Sequence, residues 1–277
     1  MTTLLIDGDV VAYKIAASIE RPTDWGDGLW TLHSDADEGI ALLEDHLLDI
    51  RKKLGGKDHV VALTDQEANW RLSVWSDYKA NRKGTRRPLC LGAMRKHLLE
   101  NHRCYLRPRL EGDDVLGILA THPSLIPGPK VLVSVDKDFF TVPGHFFRGA
   151  GSSQEVVEVT PEAADRYHML QTLTGDATDG YPGCPGVGPV AAEKALDDMT
   201  RLIPYQHVLS RGPRKGEEET RFREEPAESV WEVVVSRYEA AELTEADALI
   251  QARVARILRH TDYDFANKRV RLWSPPR

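Results

Sequence analysis

Cysteine is scarce in this 277-residue chain: Cys90, Cys104 and Cys184 are odd in number, widely spaced and form no C-x-x-C pair. That excludes a disulfide framework, offers no thiolate zinc or redox motif, and fits a reducing cytoplasm. Long apolar runs are missing as well. No segment nears the roughly 20 apolar residues that a membrane helix needs, and the opening MTTLLIDGD turns acidic too early for a signal peptide. A soluble, cytoplasmic protein with no membrane partner is expected. P-loop, H-E-x-x-H and G-x-S-x-G motifs are all absent, which removes the commonest nucleotide hydrolase, zincin and serine hydrolase readings. There is no internal repeat and no low-complexity tract. With 41% hydrophobic and 29% charged residues the chain is globular, long enough for one large α/β domain with an appended helical module.

Positive charge is short overall, the formal net charge being -7, which at first argues against a polyanionic partner. Its distribution reverses the argument. Residues 71 to 110 hold eleven Lys/Arg against Asp77 and Glu100, a local +9 that leaves -16 for the rest. Such segregation suits a protein that grips phosphates in one place and gathers cations in another, although a solvated helix face would carry the same run.

Three short runs read as buried strands of a mainly parallel sheet: Leu4-Leu5-Ile6, Val60 to Leu63 and Val131 to Val135. A helix from about Asp35 to Leu54, stopped by Gly55-Gly56, completes a βαβ pattern whose sheet is flanked by helices. The basic segment reads as a helical arch inserted at about 66–103, helical from Pro88 to Asn101. Further helices are expected at Glu111 to Thr121 and from Pro161. The expected division is an α/β core over 1–170, a small Gly/Pro-rich module over 171–200, and a helical extension over 201–277. In that extension residues 211 to 226 read as a charged loop, followed by two amphipathic helices and a strand-like tail at Val270 to Trp273.

Each buried run ends in an acid: Asp7, Asp65 and Asp136. In open parallel sheets ligands bind beyond the carboxyl ends of the strands, so these acids converge on one crevice. Others stand close by in sequence: Asp9, the group Glu111, Asp113 and Asp114, then Asp138, Asp176 and Asp179. Carboxylates packed so densely take up protons unless cations neutralise them, and oxygen donors without His or Cys favour Mg²⁺ or Mn²⁺. Singly, each acid could equally be a helix cap or a turn former. Gly186 to Ala191 matches G-x-G-x-x-A but lacks the preceding strand that a dinucleotide site requires.

Together these residues resemble the 5′ nucleases related to flap endonucleases, including phage 5′-to-3′ exonucleases and the N-terminal domain of bacterial DNA polymerase I. The likeness rests on Leu-Leu-Ile-Asp-Gly at the start, Asp-Tyr-Lys-Ala-Asn-Arg at 77 to 82, Glu-Gly-Asp-Asp at 111 to 114, Ser-Val-Asp-Lys-Asp-Phe at 134 to 139, and the Gly/Pro-rich stretch at 175 to 189. Gly112 stands where the family usually has Ala. The resemblance implies a metal-dependent 5′-to-3′ exonuclease or structure-specific 5′ nuclease acting on duplex or flapped DNA by two-metal-ion chemistry, in replication, repair or degradation. It makes Asp7, Asp65, Glu111, Asp113, Asp114, Asp136, Asp138, Asp176 and Asp179 ligands, or neighbours of ligands, of two or more Mg²⁺ (or Mn²⁺) ions, with Asp9 an accessory acid.

It further implies that Lys79 and Arg82, three apart on a helix, face the scissile phosphate and act with Asp114 and Asp136 in catalysis. Tyr78 would stack on a terminal base, unless it is a core tyrosine, and Lys83, Arg86 and Arg87 would line the arch. Gly183, Gly186, Gly188 and Val190 would form a helix-hairpin-helix element that reads the DNA backbone, with K⁺ as a further ligand of its carbonyls. The expected protein is a monomer, in the host cytoplasm if phage-encoded, whose partner is duplex DNA with a 5′ end, nick or flap, or an RNA–DNA hybrid. Two rivals stand beside it: a non-catalytic structure-specific DNA-binding protein, and a PIN-type RNase.

Overall fold

The computed structural model describes residues 2–149 and 155–276, which form two compact units. The first unit is Met1–Trp70, Arg82–Ala164 and Ile257–Arg271; the second is Arg71–Asn81, Asp165–Arg256 and Leu272–Arg277. The expected boundaries differ, because contacts far apart in sequence redistribute two segments. Arg71 donates from Nε to the Val254 carbonyl at 2.9 Å and from Nη2 to that of Arg256 at 2.7 Å, which places 71–81 in the second unit. Leu258 N bonds Asp114 Oδ1 and His260 N bonds Thr121 Oγ1, returning the late chain to the first.

The first unit opens with β1 (Thr3–Asp7), α1 (Gly8–Ser18), the hairpin β2 (Arg21–Asp24) and β3 (Trp30–His33), α2 (Ala36–Leu54) and β4 (Asp58–Leu63). It continues with α3 (Leu91–Asn101), β5 (Cys104–Leu106), α4 (Gly112–Thr121), β6 (Lys130–Val133), β7 (Gly144–Phe147) and β8 (Val157–Val159). Six of these strands make one sheet in the order β5-β4-β1-β6-β7-β8, parallel except for the antiparallel edge strand β8. The chain winds outward from β1 through β4 to β5, then recrosses to β6 and β7. The order therefore reverses at the β1/β6 boundary, where an open α/β sheet leaves a crevice beyond its carboxyl ends.

Local sequence explains this frame. β1 is buried along its whole length, as a central parallel strand covered on both faces must be. Leu4, Ile6, Val61, Leu63, Val131 and Val133 pack with Val11 and Ile15 of α1, Leu43 and Leu47 of α2, and Met94 and Leu98 of α3. α4 lies against β1, β4, β5 and β6. α2 starts where Asp35 accepts from Asp37 N and Glu38 N, and stops at Gly55 in the left-handed region, φ 62°. Gly8 is fixed by proximity, since a Cβ there would lie 2.8 Å from the Ala62 carbonyl oxygen.

α5 (Pro161–Thr174) carries the chain into the second unit, which adds α6 (Pro189–Asp197), β9 (Thr200–Val208), β10 (Glu218–Pro226), α7 (Val230–Ala240) and α8 (Glu245–Ala255). Its core joins Met169, Leu173, Leu196, Val233, Val234 and Tyr238. β9 and β10 pair antiparallel over nine residues each, so most of the expected charged loop is a strand. The tail strand is shorter than expected: β11 (Tyr263–Asp264) pairs with β12 (Arg269–Val270) in the first unit. Among the described residues no helix is long and apolar enough to cross a membrane.

Candidate metal and nucleic-acid site

At the sheet's reversal point two of the expected acids are linked through one side chain. Asp7 ends β1 and is 2% exposed; its Oδ1 accepts from Val10 N at 3.1 Å, capping α1. Its Oδ2 accepts from the Ser134 hydroxyl at 2.8 Å, and Ser134 Oγ in turn accepts from Asp136 N at 3.1 Å. Asp136 Oδ1 accepts from Asp138 N at 2.9 Å, opening a short 3-10 turn over Lys137–Thr141. The start of α4 joins the same end of the sheet: Gly112 N donates to Thr64 Oγ1, just past β4, at 2.9 Å. Glu111 is buried there and Asp113 half-buried in the first helical turn. Asp7, Asp136, Asp138, Glu111 and Asp113 offer carboxylate oxygens without His or Cys, a donor set that fits a hard divalent cation such as Mg²⁺.

The remaining expected acids of this unit are held by backbone and side-chain donors. Asp114 is fully buried and accepts from Trp70 Nε1 at 2.9 Å, Leu258 N at 3.2 Å and Glu111 N at 3.3 Å. It fastens α4 to two distant stretches of chain, which suits a positioning group better than one meeting substrate. Asp65 lies two residues beyond β4 and uses both oxygens on backbone, Oδ1 on Glu67 N and Oδ2 on Arg109 N. The Arg109 bond, followed by that from Glu67, holds its carboxyl below the usual range. Asp9 accepts from Thr64 N at 2.7 Å and pairs with Arg95, itself largely buried.

Beside Asp7 opens a cavity of about 230 Å³ lined by Lys14, Lys53, Ser134 and Arg148. These three cations escaped the reading of the sequence. The available signal was the helical spacing of Val10 and Lys14 behind the Asp7 cap, and the basic last turn of α2. Together they supply positive charge next to a carboxylate, the local pattern expected where a phosphate meets a metal-binding acid.

In the second unit the 71–81 segment is tied to the Asp176–Tyr181 loop. Lys79 N donates to the Asp179 carbonyl at 2.8 Å, Trp75 Nε1 to that of Gly180 at 3.1 Å and Asn81 Nδ2 to that of Ala177 at 2.8 Å. Asp176 Oδ1 accepts from Thr178 N and Asp179 N, shaping the turn. Asp179 Oδ2 accepts from the Tyr78 hydroxyl at 2.9 Å and lies 3.5 Å from Lys79 Nζ.

Three expectations are corrected here. Tyr78 is 5% exposed, in a cluster with Tyr181, Val254 and Ala255, so its ring has no face for a base. Lys79 and Arg82 share no α-helix: Lys79 has φ 54° and precedes a 3-10 turn over Ala80–Arg82, and the two residues belong to different units. The helix expected from Pro88 to Asn101 is α3, starting at Leu91, but Arg86, expected to line the arch before it, is spent on a bidentate pair with Glu20, both bonds 2.6 Å. Lys83 and Arg87 are exposed, as is Arg82.

α5 and α6 are joined by a loop in which the glycines differ. Gly183 has φ 68°, and a Cβ on it would sit 2.6 Å from the Leu173 carbonyl oxygen, so its role is internal closure. A Cβ on Gly186 or Gly188 would meet nothing within 4 Å. Gly188 caps α6, whose first residue is Pro189, and Val190 in that first turn is 82% exposed. This open helix start can receive an anion on its N–H groups.

Residues 2–160 match the family described as 5'-3' exonuclease, N-terminal resolvase-like domain. The chain is 36% identical to the exodeoxyribonuclease of Enterobacteria phage T3 over 98% of its own length and 92% of that protein. It is equally 36% identical to the exonuclease of Escherichia phage T7, covering 98% and 93% of the two chains. Among solved structures it resembles the bacteriophage T5 D15 flap endonuclease, determined as a pseudo-enzyme–product complex with DNA and metal ions. That likeness has a TM-score of 0.58 at 12% identity, over 92% of this chain and 93% of the other, and concerns the fold.

Proposed function

Because the chain belongs to the 5'-3' exonuclease family with an N-terminal resolvase-like domain, we propose that it is a divalent-metal-dependent 5′-to-3′ exodeoxyribonuclease, hydrolysing phosphodiesters of duplex DNA without regard to base sequence. The observation that carries this reading is the Asp7–Ser134–Asp136 linkage at the sheet's reversal point, beside the cavity bearing Lys14, Lys53 and Arg148. In the first unit Asp7 and Asp136 are the proposed principal metal ligands, supported by Glu111, Asp113 and Asp138, with Asp114 and Asp65 positioning the elements around them. In the second unit Asp176 and Asp179 are the proposed carboxylate ligands.

Two or more bound Mg²⁺ or Mn²⁺ ions would activate a water and stabilise the leaving oxygen of an in-line displacement. The protein's own part is to orient these carboxylates and to offset phosphate charge. Lys14, Lys53 and Arg148 serve that second purpose in the first unit, and Lys79 in the second; Arg82, Lys83 and Arg87 meet the strand. The open start of α6, with Gly186, Gly188 and Val190, contacts the duplex backbone as half of a helix-hairpin-helix, and K⁺ at its carbonyls would strengthen that contact. The protein acts as a monomer on nicked, blunt or flapped ends, and on the RNA strand of a hybrid.

The test is digestion of 5′- and 3′-labelled nicked, blunt and 5′-flap duplexes with Mg²⁺, reading product lengths. Mononucleotides released from the 5′ end identify the exonuclease; short oligomers identify flap cutting. Binding without cleavage, or cleavage confined to RNA, overturns the proposal in favour of a DNA-binding protein or a PIN-type RNase.

A further inference from the structure

At the opposite end of the sheet from Asp7 lies a second set of ligand-type side chains. Glu44 stands on α2, His97 on the last turns of α3, and His102 immediately after α3. His59 lies in β4 level with Leu4, three residues before the Asp7 end of β1, which is roughly 10 Å along the strand. Glu44 Oε1 meets His97 Nε2 at 2.6 Å and His102 Nε2 at 2.8 Å. All three ligand atoms fall within 4.8 Å of one another.

The bonds behind these atoms fit a metal site. His102 Nδ1 faces His59 Nε2 at 3.0 Å. A ligating imidazole needs such a partner on its far nitrogen to fix tautomer and ring orientation. His59 Nε2 can accept the hydrogen bond from a protonated His102 Nδ1, the tautomer that presents His102 Nε2 as a ligand atom.

We propose that Glu44, His97 and His102 bind one zinc ion, through one carboxylate oxygen and two Nε2 atoms, with a solvent position left over. Two nitrogens and one oxygen are a borderline donor set suited to zinc and not to the hard cations favoured by the Asp7 acids. Zn–N and Zn–O distances near 2.0–2.1 Å put tetrahedral ligands about 3.3 Å apart, so the present atoms must separate by roughly 0.5–0.7 Å. Glu44 can yield that space, its side chain being 46% exposed, while His102 at 8% and His97 at 17% are held. Zinc there would pin α2 to α3 and, through His59, to β4. Its role is structural, since it sits away from the acids assigned to hydrolysis.

The test is zinc chloride titration of the chelator-stripped full chain against a chromophoric chelator, in excess Mg²⁺ to occupy the carboxylate site. The wild type should hold one tight zinc equivalent and gain thermal stability from it. E44Q, which keeps the shape and a hydrogen-bond acceptor, should weaken that equivalent by at least about tenfold. H97Q/H102Q should lose it, and D136N should keep it. Absence of the equivalent from the wild type, or its full retention in E44Q or in the double variant, overturns the proposal. Circular dichroism confirms folding, and E44Q alone decides the matter if the double variant is unfolded.

Discussion

Replacing Ser134 with alanine isolates the link on which the site depends. The hydroxyl donates to Asp7 Oδ2 at 2.8 Å and accepts from Asp136 N at 3.1 Å, in a residue 6% exposed. S134A leaves one oxygen of Asp7 without that donor and the Asp136 N–H without that acceptor. A hydrogen bond to a charged group is worth about 1.5–3 kcal/mol, and about 1.4 kcal/mol is tenfold in an equilibrium constant. If the bond serves mainly to aim the two carboxylates, the Mg²⁺ midpoint for nucleotide release should rise by about 10- to 100-fold, the usual range for such supporting groups. Stability should fall by roughly 1–3 kcal/mol, lowering Tm by about 2–4 °C per kcal/mol. S134T keeps the hydroxyl and should recover most of both losses. Activity assays across a Mg²⁺ series, with thermal denaturation in parallel, supply the readouts. An unchanged midpoint and maximal rate in S134A would refute the role given to this serine.

Other expectations follow from particular contacts. W70F removes the Nε1 donor from fully buried Asp114, so urea denaturation should show a loss of about 1.5–3 kcal/mol, and wild-type stability would contradict the positioning role. G183A forces a left-handed alanine against the Leu173 carbonyl and should cost about 2 kcal/mol or more, whereas G188A should fold normally and weaken duplex binding in a gel-shift assay. Glu20 is held at about 2 by Arg86 and the Leu89 N–H, and Asp264 at about 2 by the Asn267 side chain and N–H. Both pKa values are lowered by folding, so their stabilisation is present above the ordinary 4.5 and 3.8 and is lost as pH falls toward about 2. Acid denaturation of E20Q and D264N should be shallower than that of the wild type in that window.

What could be read in the sequence was whatever local pattern decides. β1, β4 and β6 announce themselves as Leu-, Val- and Ile-rich runs, and α2 by an Asp cap and a glycine stop. The carboxylate-bearing strand ends followed from those runs. Elements held by distant partners were hidden. The hairpin β2–β3 is almost wholly exposed, with Trp25, Leu29 and Trp30 in the open, so no alternating apolar pattern betrays it. β10 reads as a loop in sequence because it alternates charges, which in the fold pair along the strand, Arg221 with Glu219 and Arg223 with Glu225. Tyr78 lies in a basic stretch suggestive of DNA contact, but its burial depends on Tyr181, Val254 and Ala255, more than 100 residues away. The Glu44, His97 and His102 group forms no sequence motif, since its members come together only when α2 packs on α3.

The carboxylates at the sheet's reversal point are tested most directly by Mg²⁺-dependent release of 5′-labelled nucleotides from duplex DNA by D7N and D136N. Both variants preserve side-chain shape while removing the charge that would hold a cation. The expected result is a fall of at least about 100-fold in rate with duplex binding retained. Wild-type rates in either folded variant would contradict the assignment of Asp7 and Asp136 as metal ligands, and with it the placement of the active site.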